Sequence, residues 1–569
     1  MLDDPKILII GEYPSAEEER RSRPFTSESG MAFRTMLKKA GIPITSCRFV
    51  NVAKDHPLRN EMIEFFYPTA DSKDKTSQWG LFPVSKMQTW LLDLEAYIAE
   101  WQPDFIIAAG SYALWALYGM TGEIKIGNHK KHKVPTGINN WRGSHLFTTI
   151  GGKTYPLLPV LDQNLTHRVY NWNYKTQHDL RVRYSQWKEG NWLEPATKFH
   201  IRPSFQQAKE HLLDLRCDLD LALQQVTQYK IACDVETFAG HITCIGFAWS
   251  ATDAFCLPLL CKGQGEAIMD PYWNEAEELA LVDLMRVIFT HPALKLSGQN
   301  FLYDAQHIAF SWQVVPYIAE DTMIQQHLIF PGTELNLAML SSMYCGWHRY
   351  WKEDGKFWKK DDVEEEEYWI YNCRDCIVTY EVGDKIAESI KYYNQEEQWE
   401  FQIAQLQEIL VMMLRGVNID QEVKHIMKHE LDAVTEKYEE NLRDLLPEDV
   451  YEQPPKVAPW YRSTVQQTTI FTEIFGMKRY FNRKKKAYTM DGPALAEYAR
   501  REPLLAELCN TLIEYNSLTT FKTFTEMKLG PDQRMRSSYA PTTITYRWRS
   551  SADAFGAGGN LQNLSKGNE

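Results

Sequence analysis

Apolar positions follow two rhythms along the 569-residue chain. Up to about residue 188, short apolar runs alternate with stretches in which apolar residues recur every three or four positions. The runs Ile7–Ile10, Phe49–Val52, Phe105–Ala109 and Leu157–Val160 predict strands, and Gly30–Ala40, Lys86–Trp101 and Tyr112–Tyr118 predict helices. Such alternation predicts an α/β layer domain. From Tyr184 to Pro203 the period is broken by Gly190, Pro195 and Pro203, and the segment reads as a linker. A second α/β rhythm begins at Tyr229. Its expected strands are Lys230–Asp234, Ile242–Trp249, Ala254–Leu260 and Leu294–Leu296; its expected helices are Glu275–Thr290, Leu302–Ser311, Asp321–Ile329 and Glu365–Tyr393. From Gln398 onward helical spacing dominates, over Phe401–Leu414, Val423–Leu446 and Leu495–Thr525. About the last forty residues turn Thr/Ser/Gly-rich.

Length at about 150 residues per domain predicts three or four domains. The rhythms divide the chain at 1–188, 200–395 and 396–569. No apolar run reaches the roughly 18 residues that a membrane helix needs. Lys6-Ile7-Leu8-Ile9-Ile10-Gly11 is too short for a signal peptide and reads as a first buried strand, so the chain is expected in the cytoplasm, without a membrane partner. The ten cysteines are scattered. Cys373 and Cys376 have no second pair at matching spacing, which favours packed, reduced thiols over half of a metal site. The formal charge is −13, from 75 acidic and 62 basic residues. Phosphate contacts depend on local patches, not on net charge. The candidates are Lys130-Lys131-His132-Lys133 and Lys478-Arg479 with Arg483-Lys484-Lys485-Lys486; each reads equally as a solvated loop. The acidic run from Asp361 to Glu367 reads as a solvated helix start.

Three short segments change this picture: Asp234-Val235-Glu236, Asn300-x-x-x-Asp304 and Tyr371-x-x-x-Asp375. Each adjoins an apolar strand or helix pattern, so their carboxylates are expected to meet. Gathered carboxylates repel unless cations lie between them. Two Mg²⁺ ions, with Mn²⁺ as a substitute, about 4 Å apart can activate a water and stabilise the leaving oxygen of a phosphodiester. Strand alternation puts Asp234 and Glu236 on one face. Helical spacing does the same for Tyr371 and Asp375.

Asn300-Phe301-Leu302-Tyr303-Asp304 and Tyr371-Asn372-Cys373-Arg374-Asp375 resemble the second and third motifs of 3′–5′ proofreading exonucleases, in the form with Tyr before the last Asp. The resemblance spans about residues 200–395 and implies an RNase H-like α/β domain. It implies that Asp234, Glu236 and Asp375 ligate one metal ion and that Asp234 and Asp304 serve the second. Tyr371 would position the attacking water. Asn300 would touch the terminal nucleotide or act as a structural cap, and His307 reads as a helix-surface or core residue.

Leu410-Val411-Met412-Met413-Leu414-Arg415-Gly416-Val417-Asn418-Ile419-Asp420 resembles the start of the thumb in DNA polymerase I-type (family A) enzymes. Gly416 suits a helix end and Asp420 a helix cap. Thr543-x-Thr545-Tyr546-Arg547-Trp548, Ser550-Ser551 and Gly559-Asn560-Leu561-Gln562-Asn563-Leu564 resemble the stretch of that family that lies against the primer–template duplex. Tyr546 stands where glycine is commonest. Arg547, Asn560, Gln562 and Asn563 are the expected DNA contacts, suited to phosphates and minor-groove acceptors. The palm aspartates and fingers helix have no counterpart in residues 400–569. Either a second chain supplies them, as in a split polymerase, or the sequence is a fragment; the split form is the expectation.

Near the start, Gly11-Glu12-Tyr13-Pro14-Ser15-Ala16-Glu17-Glu18-Glu19, Arg23-Pro24-Phe25, Gly30 and Val50-Asn51-Val52 resemble the uracil-DNA glycosylase superfamily, closest to its iron–sulfur branch. Trp141-Arg142-Gly143 and Leu157–Val160 continue the resemblance over about residues 5–170. It implies that Glu12 lies near the sugar, Phe25 stacks on an extruded base and Asn51 reads its edge. Cys47 is the only cysteine before Cys217, so no iron–sulfur cluster is expected. Asp162-Gln163 replaces the family's His-Pro pair, and a carboxylate cannot supply the hydrogen donor that stabilises a departing uracil anion. The expected role is base reading or structural DNA binding, with an active glycosylase as the alternative.

Together these readings predict a proofreading subunit of a phage-type split polymerase, residing in the host cytoplasm and binding primer–template DNA and single-stranded 3′ ends. The rival is a non-catalytic DNA-binding or assembly subunit.

Overall fold

The computed structural model describes residues 4–67, 83–119, 121–126, 130–135, 137–263, 269–354, 365–446, 450–451, 458–485 and 487–563. The chain forms two compact units, Met1–Leu406 and Gln407–Glu569.

The first unit contains two lobes, each built on a sheet. In the first lobe the strands are β1 (Ile7–Gly11), β2 (Cys47–Asn51), β3 (Phe105–Ala109), the separate hairpin β4 (Thr121–Ile126) and β5 (Lys130–Pro135), β6 (Leu146–Ile150) and β7 (Lys153–Val160). The sheet order is β2-β1-β3-β7-β6, parallel except for β6. β1 and β3 are buried along their whole length, as continuous apolar runs in a parallel sheet require. Alternate residues feed opposite faces. Leu8, Ile10, Ile106 and Ala108 pack with Trp90, Leu91 and Trp115, whereas Ile7, Ile9, Phe105 and Ile107 pack with Phe33, Leu37 and Leu180.

The second lobe contains β8 (Lys198–His200), β9 (Tyr229–Phe238), β10 (His241–Ala248), β11 (Asp253–Pro258), the side hairpin β12 (Leu260–Lys262) and β13 (Met269–Pro271), β14 (Leu294–Gly298) and β15 (Ile318–Asp321). The order is β15-β14-β9-β10-β11-β8, with β10 antiparallel to both β9 and β11 and the other pairings parallel. The helix Glu365–Tyr392 lays Trp369, Cys373 and Cys376 on Ala232, Cys244, Ala254 and Cys256. Both thiols of the Cys373/Cys376 pair are therefore packed and free.

The expected linker is only partly one. A helix runs over Tyr170–Lys188, and Trp192 is buried edge-on against Phe105, its Nε1 donating to the Leu146 carbonyl at 3.0 Å. Lys198–His200 then pairs in parallel with β11 as the sheet edge. Gly190 and Pro195 break the period, but Trp192 between them still finds apolar partners.

The second unit is mainly helical. Gln421–Leu445, Gly492–Arg501 and Ala506–Glu526 enclose a core of Leu442, Trp460, Phe471, Tyr498, Leu512 and Tyr515. Gly416 has φ +64°, and Asp420 Oδ1 accepts from the backbone N–H groups of Glu422 and Val423 at 3.0 Å each, as expected for a helix end and a cap. Leu495–Thr525 is not one helix. Glu502 is extended and Pro503 follows it, because proline lacks the N–H and disfavours helical backbone before it.

Candidate active site

Asp234 and Glu236 project from one face of β9, and Asp375 reaches them from the middle of the Glu365–Tyr392 helix. One oxygen from each lies within 4.8 Å of the others. Asp304 joins from the first turn of the helix Leu302–Trp312, its Oδ1 accepting from the Val235 N–H at 2.9 Å. The turn leading into that helix is held by Asp321. This buried carboxylate accepts from Asn300 N (3.2 Å), Phe301 N (2.8 Å), Met323 N (3.0 Å) and Ile324 N (3.3 Å), joining two helix starts. Asn300 itself sits at φ +57° in the turn.

Burial first, and then the charge of Asp375, pushes Asp234 up to about 7. Burial and neighbouring carboxylates push Glu236 and Asp304 well above the ordinary range. Burial and the same charges raise the Tyr371 phenol, which stays protonated. Asn372 Nδ2 donates to Asp234 Oδ2 at 3.0 Å.

Two neighbours carry no motif in the sequence. Trp351 Nε1 donates to Asp375 Oδ1 at 2.6 Å, and Lys352 Nζ donates to Asp375 Oδ2 at 2.5 Å and to Tyr371 Oη at 3.1 Å. Burial alone would lower the Lys352 ammonium, but Asp375 and Asp234 outweigh it and hold it raised. An ammonium resting on the carboxylates marks the site as one that demands positive charge. Its hard, all-oxygen donor set fits Mg²⁺ or Mn²⁺. His307 is buried inside the Leu302–Trp312 helix, its ring 4.8 Å from that of Tyr303.

In the first lobe the expected base-pocket residues gather at the carboxyl ends of the parallel strands, where β1 and β3 diverge to opposite neighbours. Open α/β sheets bind ligands at such points. Asn51 ends β2, opposite Gly11 at the end of β1. A Cβ on Gly11 would sit 2.5 Å from Asn51 Oδ1 and 2.8 Å from the Phe25 ring, so glycine is what lets both approach. Asn51 Oδ1 is buried without a hydrogen-bond partner. Glu12 lies against Gly110, its Oε1 accepting from Tyr112 N at 3.0 Å. Burial and then Asp162 push Glu12 up to about 8. Phe25 is fully buried, its ring 5.7 Å from Phe33 and 5.3 Å from Phe49.

In the second unit Arg547 and Gln562 are exposed and Asn560 half-buried. Asn560 Oδ1 accepts from Gln562 N at 3.0 Å, and Gln562 Nε2 donates to the Trp548 carbonyl at 2.7 Å. The Asn563 side chain lies outside the described residues. Tyr546 has φ +57°, the backbone for which glycine is suited, and its N–H closes a turn on the Thr543 carbonyl at 2.8 Å. Of the basic patches, the side chains of Lys130-Lys131-His132-Lys133 and all of Lys486 lie outside the described residues, and Lys485 is paired with Asp491 at 2.7 Å. The acidic run is described only from Glu365. There it is not simply solvated, since Glu365 Oε1 accepts from Lys262 N at 2.7 Å and Glu366 pairs with Arg202 at 3.1 Å.

Residues 2–173 match the family model for the uracil DNA glycosylase superfamily, and residues 217–391 match that for a 3′–5′ exonuclease domain of the DNA polymerase A type. A type-4 uracil-DNA glycosylase of Thermotoga maritima is 29% identical over 111 residues, which are 20% of this chain and 48% of the relative, about half its length. Among solved structures, the POL domain of Pol1 from M. smegmatis, in complex with DNA primer-template and dNTP, aligns with a TM-score of 0.41 at 14% identity, over 62% of this chain and 55% of that one. The chain therefore carries a uracil-DNA glycosylase-like domain and a polymerase-type exonuclease domain, followed by a mainly helical part. Among the described residues no helix is long and apolar enough to cross a membrane.

Proposed function

We propose that the chain is a 3′–5′ DNA exonuclease that proofreads for a family A polymerase. The convergence of Asp234, Glu236 and Asp375 within 4.8 Å, with Asp304 bonded to the same strand, carries this reading. Asp234, Glu236 and Asp375 are suited to hold one Mg²⁺, and Asp234 with Asp304 a second. When bound, such ions lower the pKa of an attacking water and offset charge on the leaving oxygen. Tyr371, kept protonated, orients that water. The water oxygen joins the terminal phosphorus, the P–O3′ bond breaks, and a proton ends on the released 3′-hydroxyl. Asn300 contacts the terminal nucleotide.

In this reading residues 1–188, 200–395 and 396–569 are the glycosylase-like domain, the exonuclease, and the thumb with the start of the palm. Arg547, Asn560, Gln562 and Asn563 hold primer–template DNA through phosphates and minor-groove acceptors. We further propose that palm and fingers on a second chain supply nucleotide incorporation, as in a phage-type split enzyme of the host cytoplasm. The test of the exonuclease is digestion of a 3′-mismatched primer with Mg²⁺. Wild type shortens it, and Asp234→Ala/Glu236→Ala lowers the rate at least about 100-fold. Shortening that ignores these substitutions sinks the reading. Incorporation of dNTPs by this chain alone would remove the need for a partner.

For the first lobe we propose base reading without glycosidic cleavage. The orphaned Asn51 Oδ1 can accept from a base N–H, while Asp162, standing where the resemblance places a histidine, offers no imidazole donor to a departing base anion. Uracil-containing DNA should survive incubation followed by alkali, and strand breaks at uracil would reverse this assignment.

A further inference from the structure

The segment Cys345–Asp354 starts and ends in the lobe that carries the exonuclease carboxylates, its Cys345 and Trp351 packing with Leu340 and Ile386, but it is fastened to the other lobe. His145 N donates to the His348 carbonyl (2.7 Å), Tyr350 N to Ser144 Oγ (3.1 Å), Arg183 Nη1 to the Cys345 carbonyl (3.2 Å) and Gln186 Nε2 to the Gly346 carbonyl (2.7 Å). The Tyr350 ring is buried in the first lobe's core, edge-on to Trp141 at 5.2 Å. The next two residues leave that lobe and take hold of Asp375, Trp351 through Oδ1 and Lys352 through Oδ2. Lys352 Nζ also lies 4.9 Å from the Tyr371 ring centre.

We propose that Lys352 is a positioning residue of the exonuclease centre: a counter-ion on a loop tethered to the glycosylase-like lobe, which competes with the divalent cation for Asp375. The proposal rests on the exonuclease reading above. A cluster of carboxylates that are at least half-buried is costly without compensation, and one ammonium supplies part of it before metal arrives. The same ammonium is then an opponent of metal binding, because both positive charges draw on the Asp375 carboxylate, whose two oxygens are already taken by Trp351 and Lys352. The first lobe thereby sets the metal affinity of a nuclease centre to which it contributes no carboxylate.

The experiment is a titration of the full chain with Mn²⁺, followed by the electron paramagnetic resonance of free Mn²⁺. Lys352→Met is expected to bind Mn²⁺ at least about ten-fold more tightly than wild type, and Lys352→Arg within about three-fold of it. Without metal, Lys352→Met should melt below wild type, and Mn²⁺ should close the gap. If Lys352→Met does not fold without metal, Lys352→Gln, which can still donate to Asp375, carries the same expectation. Equal or weaker Mn²⁺ binding by the neutral variants overturns the proposal. Loosening the tether with Ser144→Ala/Tyr350→Leu should move affinity in the same direction as Lys352→Met, and an unchanged affinity overturns the lobe's part. Asp234→Ala/Asp375→Ala serves as the separate control. If it still binds Mn²⁺ tightly, the carboxylate site itself has been misread.

Discussion

Asp234 holds more protons in the folded protein than in the unfolded chain across the interval from its ordinary range to about 7. Stability falls with pH wherever the folded state binds the extra proton, so the contribution of Asp234 is fully present below pH 4 and lost as pH rises through about 7. In a chelator, Asp234→Asn should therefore melt progressively higher relative to wild type as pH climbs from about 4 to 8, and Mg²⁺ should shrink that difference. A difference independent of pH would contradict the assignment. Tyr371→Phe removes only the phenol oxygen; it should lower turnover about 100-fold while leaving the Mn²⁺ dissociation constant within two-fold or so. The carboxylates and Tyr371 were legible in the sequence because alternation along a strand and a four-residue step on a helix are repeating geometries. Lys352 was not, because it lies in an aperiodic segment and its neighbours come from elsewhere in the chain. Tyr546 shows the reverse case. Its departure from glycine could be read directly, and its left-handed backbone carries the cost, so Tyr546→Gly should raise stability by about 1 kcal/mol in denaturant melts.

Among the elements, the turn into the Leu302–Trp312 helix depends on one side chain from outside it. Asp321 accepts four backbone N–H groups from two helix starts. Asp321→Ala should cost about 2–4 kcal/mol, more than an ordinary cap, because the orphaned donors stay buried. It should also depress nuclease activity by freeing Asp304, whereas Asp321→Asn, which keeps an acceptor, should retain more of both. Thermal melts and primer digestion on the two variants decide this. Strand and helix positions in the two α/β lobes followed their apolar rhythm closely. The failures came where local punctuation and tertiary packing disagreed: Trp192 lies between a glycine and a proline yet is buried, and Pro503 interrupts a run whose apolar spacing continues past it.

At the scale of the whole molecule, the two lobes of the first unit share a buried ionic seam. Arg142 Nη1 meets Asp179 at 2.6 Å, with both side chains inaccessible, and its Nη2 crosses to Ser342 Oγ at 3.1 Å. Arg183 donates to the Ser342 carbonyl at 2.6 Å. Breaking such a pair leaves a buried charge, so Arg142→Met should destabilise by about 3–5 kcal/mol. Calorimetry should show the effect reaching both lobes; a loss confined to residues 1–188 would mean that they unfold independently. The short strand β8 has a practical corollary. It reaches the exonuclease sheet from the chain that joins the lobes, and it covers the outer hydrogen-bonding edge of β11. A nuclease excised at residue 217, where the recognisable domain begins, would expose that edge as a template for pairing with another copy. A soluble, monomeric excision should start upstream of Lys198.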